Sequence, residues 1–341
     1  MTNRLRLSVA VALCVSATAA LADDAISCGR FISLEQYELA LQPCTAAAEQ
    51  DMASAQFNLG LIYTQGLGVA QDNTEAVRWY RAAAEQGLAN AQNNLGSMYR
   101  QGLGVPQNYA EAVSWYLAAA EQGLASAQNN LGGMYEEGWG VAQNYAEAVR
   151  WYRAAAEQGL ASAQNNLGWM YVQGWGVAQN NTEAVRWFRA AAEQGNASSQ
   201  YNLGLMYEQG LGVAQNDTEA VRWYRAAAEQ GFANAQNNLG LMYVQGLGVA
   251  QNYTEAVRWY RAAAEQGLAR AQGSLGLMYE QGWGVAQNFV QAHLWYNIAA
   301  VNGTEIAASL RNSIAAQMTA QQIAEAQALA VQCMNSNYTD C

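Results

Sequence analysis

The sequence predicts an all-α protein of stacked helical hairpins, and three observations predict it. Ala-Ala-Ala-Glu-Gln begins at Ala46, Ala82, Ala118, Ala154, Ala190, Ala226 and Ala262, always 36 residues apart, with a degenerate eighth copy at Ile298. A fixed period of this size marks a supersecondary unit that buries its apolar face only against its neighbours. Within each period apolar residues recur at helical spacing, as Ala91, Leu95 and Tyr99 do in the second copy. Gly and Asn punctuate every period at the same places, which splits it into two helices. A length of 341 residues alone suggests about two domains of roughly 150 residues each. The repetition argues instead for one continuous array.

Residues 1–22 read as a secretory signal. Arg4 and Arg6 precede an apolar stretch from Leu7 to Leu21 that is too short to span a bilayer, and Ala20-Leu21-Ala22 supplies an A-x-A cleavage site. The mature chain is therefore expected to be exported, periplasmic or secreted, without stable membrane insertion. Residues 23–52 follow as an N-terminal capping segment. Cys28 and Cys44 flank its first helical segment, while Cys333 and Cys341 sit at the end of the last helix. Four cysteines in an exported chain suggest two disulfides; three pairings are possible, and the placement favours the two local ones.

One repeat can be read over residues 87–122. Ala91, Leu95, Met98 and Tyr99 give its first helix, helix A. Gly102 ends that helix and Gly104 permits the turn. Asn108 precedes Glu111 by three residues, a start resembling a capping box for helix B. Helix B carries Ala112, Val113, Trp115, Tyr116, Ala119 and Ala120 and ends at Glu121-Gln122-Gly123. On its outer side Glu75, Arg78, Arg81 and Glu85 of the first copy, and their equivalents, are spaced for ion pairs of about 0.2–0.5 kcal/mol each.

These residues resemble the Sel1-like repeat, a relative of the tetratricopeptide repeat. The shared pattern is A-x-A-Q-x-x-L-G-x-x-Y-x-x-G-x-G-V-x-x-[DN]-x-x-x-A-x-x-W-[YF]-x-x-A-A, which runs from Ala53 to Ala300. One departure is that the family's Asp after the G-x-G-V turn is Asn in every copy except the first, Asp72. The resemblance implies a right-handed α-solenoid with repeats over 53–303, capping helices over 304–341, and a role in binding other proteins. In bacteria such chains act in envelope assembly, envelope signalling or host interaction. Thr319 with Gln322 forms a capping box for the final helix.

Seven copies can be compared within the one chain. Leu59, Gly60, Tyr63, Gly66, Gly68, Val69, Gln71, Ala76 and Trp79 do not vary across them, as residues that build hairpins and core would not. Variation on helix A concentrates at positions 54, 57, 61 and 64, one stripe of one face. By the resemblance to tetratricopeptide proteins, that stripe lines a concave groove that grips peptides. The candidate binding residues are Phe57, Leu61, Asn93, Arg100, Asn129, Glu136, Asn165, Trp169, Tyr201, Glu208, Asn237 and Glu280. Asn side chains both donate to and accept from a peptide backbone, and Phe57, Trp169 and Tyr201 are the candidate aromatic anchors. The competing reading is a solvated surface drifting between copies. Trp139, Trp175 and Trp283 occupy turns that hold Leu in other copies, and packing between hairpins is favoured for them over exposed contact.

Composition narrows the chemistry. Apolar residues make up 52% and charged residues 13%, with 16 basic residues, all Arg, 27 acidic residues and one His, His293. The resulting charge of -11 opposes nucleic acid binding, which needs clustered cations. Without Lys there is no Schiff base or Ser/Lys dyad, and one His builds no multi-histidine zinc site. The expectation is a monomeric, non-enzymatic scaffold for a protein or peptide, with no cofactor and no metal. The alternatives are the β-lactamase or penicillin-binding activity described for cysteine-rich Sel1 relatives, or regulation of a sensor kinase or of polysaccharide export. Those relatives carry a Cys pair inside each repeat, which every repeat here lacks.

Overall fold

The computed structural model describes residues 23–24, 26–338 and 341; the signal segment read at residues 1–22 lies outside the described residues. The described residues are helical with no strand. After a helix over 26–33 (α1) and α2 (Tyr37–Ala48), helix A recurs as α3 (Ala53–Gln65), α5 (Ala89–Gln101), α7 (Ala125–Glu137), α9 (Ala161–Gln173), α11 (Ala197–Gln209), α13 (Ala233–Gln245) and α15 (Ala269–Gln281). Helix B alternates with it as α4 (Asn73–Glu85), α6 (Tyr109–Glu121), α8 (Tyr145–Glu157), α10 (Asn181–Glu193), α12 (Asp217–Glu229), α14 (Tyr253–Ala264) and α16 (Phe289–Val301). α17 (Glu305–Ala315) and α18 (Ala320–Asn335) follow. Consecutive helices pack on one another from α2 to α8 and from α10 to α17, as in an all-α solenoid. The described residues divide into two compact units within the fourth repeat, one reaching residue 163 and including 175–177, the other comprising 164–174 and the residues from 178 on.

Local chemistry fixes each hairpin. Helix A ends on a left-handed glycine, Gly102 at φ 72° in the second repeat, a conformation that costs other residues about 1–2 kcal/mol. Asn108 then accepts hydrogen bonds from the Ala110 and Glu111 amides at the start of helix B. The reciprocal half of the capping box is not made, because the Asn108 amide already donates to the Tyr99 carbonyl at 2.9 Å. That bond ties the start of helix B to the end of helix A. A complete capping box occurs at Thr319 and Gln322.

Glycine also sets how closely the two helices of a hairpin approach. A Cβ on Gly96 would lie 2.9 Å from the Tyr116 ring, so the tyrosine occupies the space that any side chain would need. The buried Gln of each helix A makes a second tie. Gln92 donates to the Ala84 carbonyl at 3.1 Å and accepts from Gln122 at 2.8 Å, joining helix B of one repeat to both helices of the next. Gln128 repeats the arrangement with Ala120 and Gln158.

On the outer side the expected charge pairing is only partly made. Arg78 pairs with Glu75 at 3.0 Å, but Arg81 instead donates to the Tyr99 hydroxyl of the following repeat at 2.6 Å. A planar guanidinium with five donors serves such cross-repeat bonds better than a point-charged ammonium.

The ends are closed by cap packing. Cys28 lies beside Cys44 with Cα atoms 4.7 Å apart, and Cys333 beside Cys341 at 4.8 Å, both within disulfide range. His293 sits at 2% exposure in α16 with no partner for Nδ1. Burial, with the Arg311 charge adding to it, lowers its pKa. The unfolded chain therefore binds this proton more readily, so stability is lost as pH falls below the ordinary value of about 6.5. The expected result is a melting temperature that drops between pH 7 and pH 5, and drops less in His293→Val, the residue that other copies carry. Equal pH dependence in both proteins would refute this.

Candidate functional site

The stripe on helix A is built by the 3, 4, 3 spacing that keeps positions 57, 61 and 64 on one helical face. Each position proves to have its own internal chemistry. At position 64, Glu136 accepts from the Tyr152 hydroxyl at 2.6 Å, Glu280 from Tyr296 at 2.6 Å, and Glu208 from Tyr224. Burial raises the pKa of all three tyrosines, and the adjoining carboxylate raises it further. These acids thus hold helix B of their own repeat. Arg100 stands beside the Tyr116 hydroxyl. Val172 packs on the cluster that holds Phe188, the copy in which the helix B ring carries no hydroxyl. The helix B residue is Tyr in every copy but the fourth, whether its helix A counterpart is Thr64, Arg100, Glu136, Glu208, Val244 or Glu280, so the contact leaves no consistent paired variation in the sequence.

At position 57 the asparagines bond to one another. Asn93 donates to Asn94 at 3.3 Å and accepts from Asn130 of the next repeat at 2.9 Å. Asn165 accepts from Ser199 and Asn202, at 2.9 and 3.0 Å. Asn237 donates to Asn238 at 3.2 Å, and Asn129 is likewise engaged. A primary amide has two donors and two lone pairs, so capacity remains on the Asn93 row after these bonds. Phe57 lies 5.9 Å from Tyr80 between ring centroids, and Tyr201 packs at 5.8 and 5.3 Å from Tyr224 and Phe232.

Position 61 carries the apolar exposure. Leu61 is half-buried, whereas Trp169 is 39% exposed and Leu277 38%. The Trp169 ring meets Phe188 edge-on, 6.0 Å away between centroids.

Trp139, Trp175 and Trp283, expected to pack between hairpins, form a second aromatic row that pairs with the preceding repeat yet stays 37–41% exposed. Trp139 stacks on Tyr109, Trp175 on Tyr145 and Trp283 on Tyr253, with centroids 5.2–5.3 Å apart and planes within 21°. Each pair joins a turn to the first residue of the preceding helix B. Where the turn holds Leu103, Leu211 or Leu247, that first residue is Asn73, Asn181 or Asp217. The signal was there, as Trp with Tyr and Leu with Asn or Asp, but the partners are 30 residues apart and only the fold brings them together. Among the described residues no group of three or more His, Cys, Asp or Glu is placed to hold a metal ion.

Comparison with known proteins agrees with the repeated-hairpin fold. The Sel1 repeat profile matches seven consecutive segments, 53–88, 89–124, 125–160, 161–196, 197–232, 233–268 and 269–303. The chain belongs to the Sel1 repeat family. Among solved structures, a Sel1 repeat protein from Oxalobacter formigenes is 33% identical, with a TM-score of 0.68 over 87% of this chain and 86% of that one. Similar too is c5321, a protective antigen present in uropathogenic Escherichia coli strains displaying an SLR fold, at 31% identity and a TM-score of 0.52, covering 89% of each chain. No curated protein matches the sequence. Sel1 repeat proteins are generally scaffolds that bind protein partners, and their solenoid is typically non-enzymatic. Among the described residues of this Sel1 repeat chain, no helix is long and apolar enough to cross a membrane.

Proposed function

We propose that this Sel1 repeat protein is an exported, monomeric scaffold that holds a peptide or protein segment along helix A, in envelope assembly, signalling or host interaction. The observation that carries the reading is the exposed Trp169 ring on helix A of the fourth repeat, in a stripe that also carries Tyr201. A large exposed aromatic is the kind of anchor that supplies most of the energy in a protein interface. The glutamates of position 64 serve the hairpins, so the aromatic and Asn residues are the gripping groups. Export rests on the signal-like residues 1–22 and on two cysteine pairs close enough to bridge, which suits an oxidising compartment. The antigen described for c5321 is in keeping with a chain that leaves the cytoplasm.

The test is the double variant Trp169→Ala and Tyr201→Ala. Affinity capture from envelope extracts is expected to lose partners that the wild-type chain retains, with helicity unchanged. An unchanged set of captured proteins at intact helicity would sink the reading. β-Lactam hydrolysis by the purified chain above background would instead favour the enzymatic alternative.

A further inference from the structure

Position 61 of helix A changes character along the chain. It reads Leu61, Ser97 and Gly133 in the first three repeats, then Trp169, Leu205, Leu241 and Leu277. The last four stand at equivalent places on α9, α11, α13 and α15, all within the unit that comprises residues 164–174 and those from 178 on. Trp169 is 39% exposed and Leu277 38%, and Leu205 and Leu241 are half-buried. Together they make an apolar rail with one contact per repeat. Its pitch follows from the packing. Asn202 Nδ2 reaches Asn165 Oδ1 at 3.0 Å, and Ser199 Oγ reaches the same oxygen at 2.9 Å, between neighbouring helices A. Bonds between side chains this short hold the axes at about 8–10 Å, the usual separation of packed helices.

The pitch selects the backbone of an occupant. A polyproline II segment turns once in three residues and rises about 3.1 Å per residue, so the same edge returns about every 9.3 Å. A β-strand returns the same face about every 6.6–6.8 Å and falls out of step by the second helix. An α-helix needs seven residues, about 10.5 Å, and its backbone carbonyls are already bonded within the helix. Asn165 receives its two bonds at Oδ1, so its Nδ2 is a donor that suits the unbonded carbonyls of polyproline II. Aromatic surfaces such as Trp169 are also those on which Pro-rich segments dock.

Charge selects a second edge. Three residues beyond the rail on the same helical face, position 64 carries Glu208 and Glu280 two repeats apart. The Tyr224 hydroxyl donates to Glu208 Oε2, and the Tyr296 hydroxyl to Glu280 Oε2 at 2.6 Å. A neutral hydroxyl fixes each carboxylate and leaves its charge in place, with lone pairs on the other oxygen. Arg270, the single cation in the sequence of α9, α11, α13 and α15, stands near the start of α15 and donates to Asn234 Oδ1 at 3.1 Å. The edge beside the rail is therefore anionic, in a chain of net charge -11, and it complements cationic side chains.

We propose that repeats four to seven bind a polyproline II segment of about twelve residues, with an apolar residue at every third position on the rail and basic residues on the edge that meets Glu208 and Glu280. This inference rests on helix A being the binding face and adds the conformation, period and charge of the segment held there. It is tested on the purified full chain by fluorescence anisotropy with labelled synthetic peptides. The probe (Leu-Arg-Pro)4 repeats Leu and Arg at a period of three; its comparison peptide has the same residues reordered so that no two Leu lie three apart. The periodic peptide is expected to bind at least about fivefold tighter, the ratio that one anchoring contact supplies. Trp169→Ala with Leu277→Ala is expected to abolish that preference at unchanged helicity. Glu208→Gln with Glu280→Gln is expected to weaken the periodic peptide about twofold to fivefold. Glu193→Gln with Glu229→Gln, the same change of charge on exposed positions of helix B, is expected to leave its binding in place. Equal binding of the reordered peptide, a preference that survives in the Trp169 and Leu277 variant, equal weakening by both Gln pairs, or tighter binding of a helical peptide with Leu at every seventh position would each overturn the proposal. If it fails while the Trp169 and Tyr201 variant still loses partners, the scaffold reading stands and only the assigned segment falls.

Discussion

Gly140→Ala is expected to destabilise the first unit by roughly 2–5 kcal/mol, more than a change of one methyl group ordinarily costs in a surface turn. Two effects add. Gly140 has φ 71°, which a Cβ opposes by about 1–2 kcal/mol. The new Cβ would also lie 2.6 Å from the Ala110 backbone nitrogen and against the Tyr109 backbone, so the turn of one repeat has to back away from helix B of the repeat before it. Backbone does not yield as a flexible side chain does, and overpacking of this kind adds about 1–3 kcal/mol. Gly159→Ala separates the two effects, because Gly159 has φ 90° and nothing within 4 Å of its Cβ. It is expected to show the conformational cost alone. Urea unfolding of both variants, followed by circular dichroism, checks the difference; equal losses would show that the inter-repeat contact carries no strain.

Trp151→Ala is expected to cost about 3–5 kcal/mol. The ring is 7% exposed and packs with Val113, Tyr116, Leu131 and Met134 of the preceding helices. The Arg150 guanidinium lies 4.3 Å over the ring and shields it from water. Its loss empties the space between two repeats, and a stacked array has no other layer to cover the hole. Trp139 is the contrast. It is 39% exposed and stacked on Tyr109, so Trp139→Ala is expected to lose little beyond the aromatic pair, about 0.5–1.5 kcal/mol. A Trp151 variant no less stable than the Trp139 variant would contradict this account of the core.

Residue pairs that lie close in sequence were legible. Asn108 caps helix B two and three residues on, and Thr319 closes its box with Gln322. The capping box predicted for helix B was half wrong for a reason outside the helix, since the Asn108 amide is taken by the Tyr99 carbonyl. The same kind of competition redirected Arg81 from its helical neighbours to Tyr99. On the candidate stripe, sequence placed Glu136, Glu208 and Glu280 on the right face but gave no sign that each is bonded to a tyrosine 16 residues further on. Comparing the copies does not supply it either, because the tyrosine stays where the Glu is replaced by Arg100 or Val244.

By itself, then, the sequence determined the repeated hairpin: a 36-residue period, a glycine that ends helix A, an asparagine that starts helix B, and apolar residues on the faces that must meet. These follow from dihedral preference and helical periodicity, which act over a few residues. Only the tertiary structure decided which donors meet which acceptors between repeats and which tryptophans are covered. Those outcomes depend on distances of a few ångströms between side chains 16 to 37 residues apart, and such distances exist only once the hairpins have stacked.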